Sequence, residues 1–338
     1  MPQRIKQLNT WLQDSLKLAD YQIAPASGDA SFRRYFRITP SAGVFRHYQA
    51  ASLVVMDAPP DKEDTKPFVR LANVLATMGL NVPIVVEQNI ELGFLLLTDL
   101  GHQQYLSVLA DSNADTLYAD ALAALLALQT HGAELTASVP AYDVQLLLRE
   151  LAIFQEWYLV HHLGLQLTDE QLRIIDDAFR VLCDAALEQP TVLVHRDYHS
   201  RNLMLTDNNN PGILDFQDAV AGPFSYDLVS LLKDCYIAWP RARVEAWAVS
   251  HMQNAVDAGI LQAINRQDCL RWFDLMGAQR HLKAAGIFAR LQHRDGKSQY
   301  LNDIPRTLGY VVDVSGRYSE LHAFNKLLTT LLPPECLS

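Results

Sequence analysis

Strand-like runs in this 338-residue chain are concentrated in the first hundred residues, and helical periodicity dominates the rest. One helix interrupts the runs, with Thr65 suited to its N-cap, Pro67 to its first turn and Gly79 to its end. The runs have strand length, are bounded by Gly, Pro, Asp or Asn, and cover residues 35–39, 52–56, 82–87 and 93–98. The pattern predicts an α+β fold with a small β-rich domain over residues 1–100 and a larger, mostly helical domain over 101–338.

Beyond residue 100, apolar residues recur at helical spacing, as over residues 115–129, 143–162 and 271–292. Thr168 and Gln171 form a capping-box signature at the start of another helix. One β-like region interrupts the helices, with runs over 191–194, 202–206 and 213–216 and a turn rich in Asn, Pro and Gly before the last run. This β-like region contains the polar residues whose spacing suggests a catalytic or metal-binding role.

Composition excludes several classes of protein. The 28 basic and 38 acidic residues give a net charge of −10, which argues against a nucleic-acid binder. No apolar stretch approaches the roughly 18 residues of a membrane span, and no signal-peptide core is present near the N-terminus. The four cysteines show no CxxC pair or zinc spacing, which is typical of a reducing compartment. We therefore expect a cytoplasmic protein without membrane or nucleic-acid partners, and we expect a monomer.

Three polar residues of the β-like region have a spacing that suits phosphoryl transfer. Asn202 directly precedes one short strand, and Asp215 ends the return strand of the predicted hairpin, so both can approach one point. An amide oxygen and a carboxylate suit Mg²⁺ that keeps waters and nucleotide phosphates as its other ligands. Asp197, on the loop before Asn202, can accept the proton of a substrate hydroxyl. In the alternative interpretation, the two carboxylates only cap turns and Asn202 only starts a strand.

The same residues carry a family resemblance. His195-x-Asp197-x4-Asn202, followed by Asp215-Phe216, resembles the catalytic and metal-binding loops of the protein-kinase-like fold. The second histidine, His199, and the later Tyr226-Asp227 pair are more similar to the aminoglycoside phosphotransferase and choline kinase branch. The order of residues over 195–202, with Met-Asp-Ala-Pro-Pro at 56–60, looks closest to the anomeric kinases for N-acetylmuramate and N-acetylglucosamine of peptidoglycan recycling.

The resemblance implies a two-lobed fold that uses ATP and Mg²⁺, with Asp197 as the catalytic residue and Asn202 and Asp215 as metal ligands. It also implies that Asp227 braces the catalytic loop and that His195 orients it. The expected nucleotide-binding residues are those of the phosphate-covering loop, one arginine, and the segment that contacts the adenine through its backbone: Gly28, Asp29, Ser31, Arg33, Thr98 and Asp99.

One departure from the family concerns the third strand, which usually carries a lysine that contacts the α- and β-phosphates. Residues 52–56 contain no lysine, and Met56-Asp57 occupies the corresponding place. Three arginines lie nearest in sequence, namely Arg33, Arg34 and Arg37. We expect one of the Arg33-Arg34 pair to replace the lysine, although both could instead face solvent along a strand edge.

The acceptor site has weaker signals. Gln217 and Asp218 directly follow the metal strand and could reach sugar hydroxyls. Arg280 and His281, with Lys283, could hold an anionic group such as the lactyl carboxylate of N-acetylmuramate. Alternatively, a cationic acceptor such as an aminoglycoside or choline would be favoured by the acidic residues around the site, Asp218, Asp227 and Asp234. Another small alcohol is also a possible acceptor. The missing lysine also permits a nucleotide-binding module without catalysis.

Overall fold

The computed structural model describes residues 2–27 and 32–336. The described residues form two units, each with dense internal contacts. The first contains the chain up to Gln103 together with Met204–Asp218, and the second contains Gln104–Leu203 together with the chain from Ala219 onward. The β-like segment Met204–Asp218 thus groups with the first unit, an arrangement that a single division at residue 100 does not describe. The predicted division at residue 100 into two functional lobes stays a prediction.

The first unit is built on a five-stranded antiparallel sheet with the strand order β1-β2-β3-β5-β4. The strands are β1 (Tyr21–Ser27), β2 (Arg34–Pro40), β3 (Leu53–Asp57), β4 (Val85–Asn89) and β5 (Phe94–Thr98). The four predicted runs correspond to β2 to β5. The sequence analysis missed β1, which contains Pro25 and lies at the sheet edge, where proline is tolerated.

Two helices complete the first unit. Helix α1 (Pro2–Thr10) continues into a π-helical turn over Trp11–Ser15 and packs apolar side chains against one face of the sheet. Helix α2 (Lys66–Thr77) begins after Thr65 as predicted, but the Thr65 side chain makes no capping bond. The carboxylate of Asp64 instead accepts the backbone N–H of Lys66 at 2.9 Å.

The second unit is mainly helical. Its π-helical segment Phe154–His162 continues α5, so the helix predicted over 143–162 changes its winding halfway. The predicted capping box at Thr168 is confirmed, since both reciprocal hydrogen bonds with Gln171 are present. The α-helices are α3 (Tyr105–Val108), α4 (Ala114–His131), α5 (Val144–Ile153), α6 (Asp169–Leu187), α7 (Ser225–Leu232), α8 (Arg241–Asp257), α9 (Arg266–Asp295), α10 (Ile304–Arg317) and α11 (His322–Leu331).

Helix α9 is the central element of the second unit. It is 30 residues long and packs against α5 to α8 and α10. Gly286 allows a close approach to the end of α5, because a Cβ atom there would lie 2.6 Å from the backbone C of Ile153 and N of Phe154. The helix therefore brings Arg280 and Lys283 into the interior of the unit, where both side chains are mostly buried.

Four short strands frame the predicted chemistry. Strand β6 (Thr191–Val194) pairs antiparallel with β9 (Val220–Pro223), and β7 (Leu203–Met204) pairs with β8 (Gly212–Ile213). Both β7 and β8 are shorter than the predicted runs, and β9 was not predicted. None of the helices in the described parts of the chain is both long and apolar enough to cross a membrane. All four cysteines are buried thiols.

Candidate active site

The loop that leaves β6 is held by a buried carboxylate. Asp227, in the first turn of α7, accepts the backbone N–H of His195 at 2.6 Å and that of Arg196 at 3.0 Å. These bonds fix the loop where Arg196 adopts a left-handed φ of +78°, a conformation that a non-glycine residue rarely adopts without support. Burial raises the pKa of Asp227 to about 7, against the opposing effect of the two backbone bonds.

Asp197 follows directly and is surrounded by positive charge. Burial alone would raise the pKa of its carboxyl, but Lys283, His199 and the neighbouring arginines lower it below its usual value. The backbone N–H of Asp197 donates to Nδ1 of His195 at 3.3 Å, so His195 helps to orient the loop. Asp197 is therefore an ionised carboxylate on a fixed backbone.

Asn202 closes the loop on itself. Its Nδ2 donates to the backbone carbonyl of Asp197 at 2.9 Å. This bond fixes the orientation of the amide, and Oδ1 accepts no hydrogen bond from the residues that the structure describes. An amide oxygen held in this way, directly before β7, is a suitable ligand for a hard cation.

A second anchor ties the loop to the segment after α7. The carboxylate of Asp234 accepts the backbone N–H of Ser200 at 3.0 Å and also binds its hydroxyl group. The other oxygen of Asp234 accepts the backbone N–H of Tyr236 at 3.0 Å. Asp227 and Asp234, which the sequence analysis considered as attractants for a cationic acceptor, therefore satisfy backbone groups instead.

Ion pairs behind the loop balance its charges. The carboxylate of Glu150, on α5, pairs with Lys283 at 2.8 Å and with Arg196 at 2.5 Å. Lys283 also donates to the hydroxyl of Tyr226 at 2.9 Å. Burial alone would raise the pKa of Glu150, but Lys283 and Arg196 lower it, so the carboxylate stays charged. The sequence analysis missed Arg196, although it lies inside the motif.

The two predicted anion ligands on α9 have different surroundings. Arg280 is 6% exposed, and its buried Nε donates to no atom in the described part of the chain. It lowers the pKa of Asp197, which indicates that the two charges are near each other. His281 is fully buried, hydrogen-bonds the Lys233 carbonyl at 2.7 Å and is neutral, because burial lowers its pKa to about 3. The contacts of His281 are thus structural.

Asp215 lies in the first unit, two residues after β8, with a left-handed φ of +64°. Gln217 donates from its amide nitrogen to the carboxylate of Asp215 at 2.8 Å and to that of Asp218 at 3.2 Å. The buried Oε1 of Gln217 accepts no hydrogen bond from described residues. Two predicted acceptor ligands, Gln217 and Asp218, therefore lie directly beside the predicted metal ligand.

The structure distinguishes the three arginines that could replace the missing lysine. Asp57 at the end of β3 is fully buried and binds both Arg4 and Arg34. Arg37 is bound to Asp99, with a distance of 2.9 Å from Nη2 to Oδ1. Two of the three thus neutralise buried carboxylates.

Arg33 differs from these two. It is 11% exposed on its side chain and lies 3.6 Å from Asp218 and 3.7 Å from Glu63. Burial alone would lower its pKa, but Tyr35, Asp215 and the two nearby acids raise it. The charge of Arg33 thus interacts with that of Asp215, the predicted metal ligand.

The remaining nucleotide-binding predictions have mixed outcomes. Gly28, Asp29 and Ser31 lie outside the described residues. The hydroxyl of Thr98 accepts the backbone N–H of Ile84 at 2.9 Å. The carboxylate of Asp99 binds Arg37, Ser52 and the backbone of Gly101; burial alone would raise its pKa, but these bonds lower it. Both side chains are engaged in the fold, so a nucleotide contact at this segment would use backbone groups.

Comparison with known proteins places these features in a family. A profile of the phosphotransferase enzyme family matches residues 22–264. An N-acetylmuramate/N-acetylglucosamine kinase of Pseudomonas aeruginosa is 47% identical over 340 residues and covers 97% of each chain. A protein of the same name from Neisseria meningitidis is 41% identical and covers 98% of this chain and 97% of its own.

Solved structures show the fold. An aminoglycoside 2'-phosphotransferase in complex with GDP has a TM-score of 0.61 at 16% identity, covering 92% of this chain and 99% of its own. A choline kinase of Streptococcus pneumoniae has a TM-score of 0.61 at 11% identity, covering 91% and 99%. The predicted α+β, protein-kinase-like class is confirmed. Since the family profile matches more than half of its length, the chain belongs to the phosphotransferase enzyme family.

Proposed function

We propose that this chain is an ATP-dependent kinase that phosphorylates the anomeric hydroxyl of N-acetylmuramate and N-acetylglucosamine. The observation that carries the proposal is the 41–47% identity, over nearly the whole chain, to proteins that bear the names of these sugars. The braced loop around Asp197 supports it, because phosphoryl transfer to an alcohol needs a fixed carboxylate beside the hydroxyl.

Asp197 acts on the acceptor. Its carboxylate accepts the hydrogen bond of the sugar hydroxyl and orients the oxygen lone pair toward the γ-phosphorus of ATP. A bond forms between this oxygen and phosphorus, while the bond from phosphorus to the β,γ-bridging oxygen breaks and ADP leaves with the electron pair. The hydroxyl proton passes to Asp197. The low pKa of Asp197 suits positioning, with proton transfer late in the reaction.

Asn202 and Asp215 are the proposed ligands of Mg²⁺. An amide oxygen and a carboxylate are the kinds of oxygen ligand that Mg²⁺ prefers, and the Oδ1 of Asn202 accepts no hydrogen bond from the described residues. The described residues contain no cluster of three or more His, Cys, Asp or Glu that could hold a metal alone. The ion would take nucleotide phosphates as further ligands and would neutralise part of their charge. Arg33 is proposed to supply the cation that the third strand lacks.

Gln217 and Arg280 are proposed to bind the acceptor, because each has a buried polar atom that forms no hydrogen bond with the described residues. The buried Oε1 of Gln217 can accept a hydrogen bond from a sugar hydroxyl, while its nitrogen stays on Asp215. The buried Nε of Arg280 can donate to the acceptor close to Asp197. A cationic acceptor is less well supported, because Asp227 and Asp234 are occupied by backbone groups.

Three further expectations belong to the proposal. Among the relatives in structure, one aminoglycoside phosphotransferase is bound to ADP and another to GDP. For this chain we propose ATP as the donor. We also propose that the protein is a monomer and acts in the cytoplasm.

The test incubates the purified protein with Mg²⁺ and ATP or GTP in the presence of each candidate acceptor: the two amino sugars, glucose, an aminoglycoside and choline. We expect ADP release with both amino sugars and a product whose phosphorus NMR signal couples to the anomeric proton. Phosphorylation of the aminoglycoside or choline in place of the sugars would overturn the proposal. ATP binding without turnover on any acceptor would support the nucleotide-binding module instead.

A further inference from the structure

Arg201, in the loop between Asp197 and Asn202, keeps its hydrogen-bond donors unused within the described part of the chain. No described residue accepts a hydrogen bond from its guanidinium or forms an ion pair with it. The group instead lies over aromatic rings, with Cζ 3.6 Å from the ring centre of Tyr236 and 5.7 Å from that of Tyr300. Stacking of this kind holds an arginine in place while its N–H groups stay available in the plane.

The rings that hold Arg201 are themselves fixed, and we call them the aromatic cradle (Tyr236, Phe288 and Tyr300). Phe288 stacks on Tyr300 with ring centres 5.7 Å apart, and it lies 6.3 Å from Tyr236. The backbone of Tyr236 is bound to Asp234, the residue that also anchors the catalytic loop. The cradle and the loop are therefore positioned together, so Arg201 is preorganised.

The acid near Arg201 is Asp303. Burial raises the pKa of Asp303, while Arg201 and Arg306 oppose that rise; Arg306 forms an ion pair with it at 3.3 Å, and Arg201 forms none. Arg280, the other guanidinium near the loop, also forms no ion pair with a described residue. His199 packs its ring edge against Tyr236 with centres 5.5 Å apart, and its buried Nδ1 has no partner among the described residues. Burial lowers the pKa of His199, and Arg280 and Arg201 lower it further, against the opposing effect of Asp234 and Asp197.

We propose that Arg201 binds the carboxylate of the acceptor and thereby determines selectivity for carboxylate-bearing over neutral amino sugars. This inference rests on the proposed function. The two sugars differ by one lactyl ether, whose carboxylate needs a cation with two parallel donors, and a stacked guanidinium offers this fork. Because the neutral sugar has no carboxylate, its turnover does not depend on Arg201.

The test measures kcat/KM for N-acetylmuramate, its methyl ester and N-acetylglucosamine with wild type, Arg201→Gln and Arg201→Lys. We expect Arg201→Gln to lower kcat/KM for N-acetylmuramate by about tenfold or more, the effect of one charged hydrogen bond, and to change that for N-acetylglucosamine by less than about threefold. Esterification of the N-acetylmuramate carboxylate should lower kcat/KM with wild type but not with Arg201→Gln. Arg201→Lys should lower kcat/KM for N-acetylmuramate less than Arg201→Gln does. Arg266→Gln, an exposed arginine of the same unit, is the control.

Two outcomes separate the two proposals. If wild type phosphorylates neither sugar, the proposed function fails. If wild type phosphorylates both sugars but Arg201→Gln lowers kcat/KM equally for both, or raises the KM for ATP, then Arg201 serves the nucleotide or the loop and this inference is wrong. The inference is also wrong if Arg201→Gln leaves the selectivity between the two sugars unchanged.

Discussion

The carboxylate of Asp227 holds the backbone of Arg196 in a left-handed conformation, accepting its N–H at 3.0 Å while φ is +78°. The same carboxylate binds the N–H of His195. The loop after β6, which begins with a strained residue, therefore depends on a carboxylate 31 residues later.

Replacement of Asp227 by asparagine should lower stability and activity together, because one backbone N–H loses its acceptor. We expect the free energy of unfolding to fall by about 1–3 kcal/mol at pH 5. Since burial raises the pKa of Asp227 from 3.8 to about 7, its contribution is greatest below pH 4 and declines as the pH rises toward 7. Urea unfolding of both proteins at pH 5 and pH 8 should show a narrower difference at pH 8. A difference that grows with pH would contradict this assignment.

Asp197→Asn should remove turnover but keep nucleotide binding. Without the carboxylate, the acceptor hydroxyl is neither oriented nor deprotonated, and we expect kcat to fall by roughly 10²–10⁴. Steady-state kinetics with N-acetylmuramate and calorimetry with ATP check the two parts. Asp207→Asn, an exposed aspartate in the turn after β7, is a matched control with unchanged kcat. Undiminished turnover by a folded Asp197→Asn protein would refute the role.

Asp215→Asn should weaken nucleotide binding only when Mg²⁺ is present. Asparagine tolerates the left-handed backbone at this position, so the substitution removes charge with little strain. Calorimetric titration with ATP, with and without Mg²⁺, should show that the metal strengthens binding to wild type but not to the variant. Equal strengthening in both proteins would exclude Asp215 as a ligand.

Arg33 and Arg34 are neighbours in sequence but should respond differently to replacement by glutamine. Arg33→Gln should raise the KM for ATP by about tenfold, because it removes the cation near Asp215. Arg34→Gln leaves the buried Asp57 with one cation fewer, and we expect a loss of about 1–3 kcal/mol in unfolding free energy with little change in KM. The reverse pattern would assign the phosphate contact to Arg34.

Two glycines of α9 provide a test of packing. In Gly286→Ala the new Cβ would lie 2.6 Å from the backbone at Ile153 and Phe154, which cannot yield like a side chain. We expect a loss of about 1–3 kcal/mol in unfolding free energy. At Gly277 the nearest atom is 3.4 Å away, so Gly277→Ala should gain up to about 1 kcal/mol from helix propensity. Urea midpoints that move in the same direction for both variants would contradict this packing.

Local signals predicted the parts of the fold that depend on neighbouring residues. Strands β2 to β5 have bounded apolar runs, and the Thr168 capping box needs only a spacing of three residues. Strands β1 and β9 were missed because their residues form strands through partners elsewhere, as Val192 pairs with Gly222. Pairing of this kind leaves little trace in the strand itself.

In the candidate site, too, some residues can be predicted from their neighbours in sequence, whereas the roles of others depend on distant partners. Asp197, Asn202 and Asp215 could be proposed from the sequence because they belong to one continuous motif. The roles of Arg34 and Arg37 could not be read in this way, because each depends on a buried carboxylate more than 20 residues away. His281 was grouped with Arg280 because they are adjacent, yet successive residues of a helix point in different directions.

The burial of Asp57 between Arg4 and Arg34 also restricts how this chain can evolve. A lysine at position 57 would restore the usual third-strand cation, but it would confront two arginines already placed to neutralise an acid. Three positive charges would then crowd one end of the strand. A lysine at position 57 would therefore require compensating changes at Arg4 and Arg34 as well.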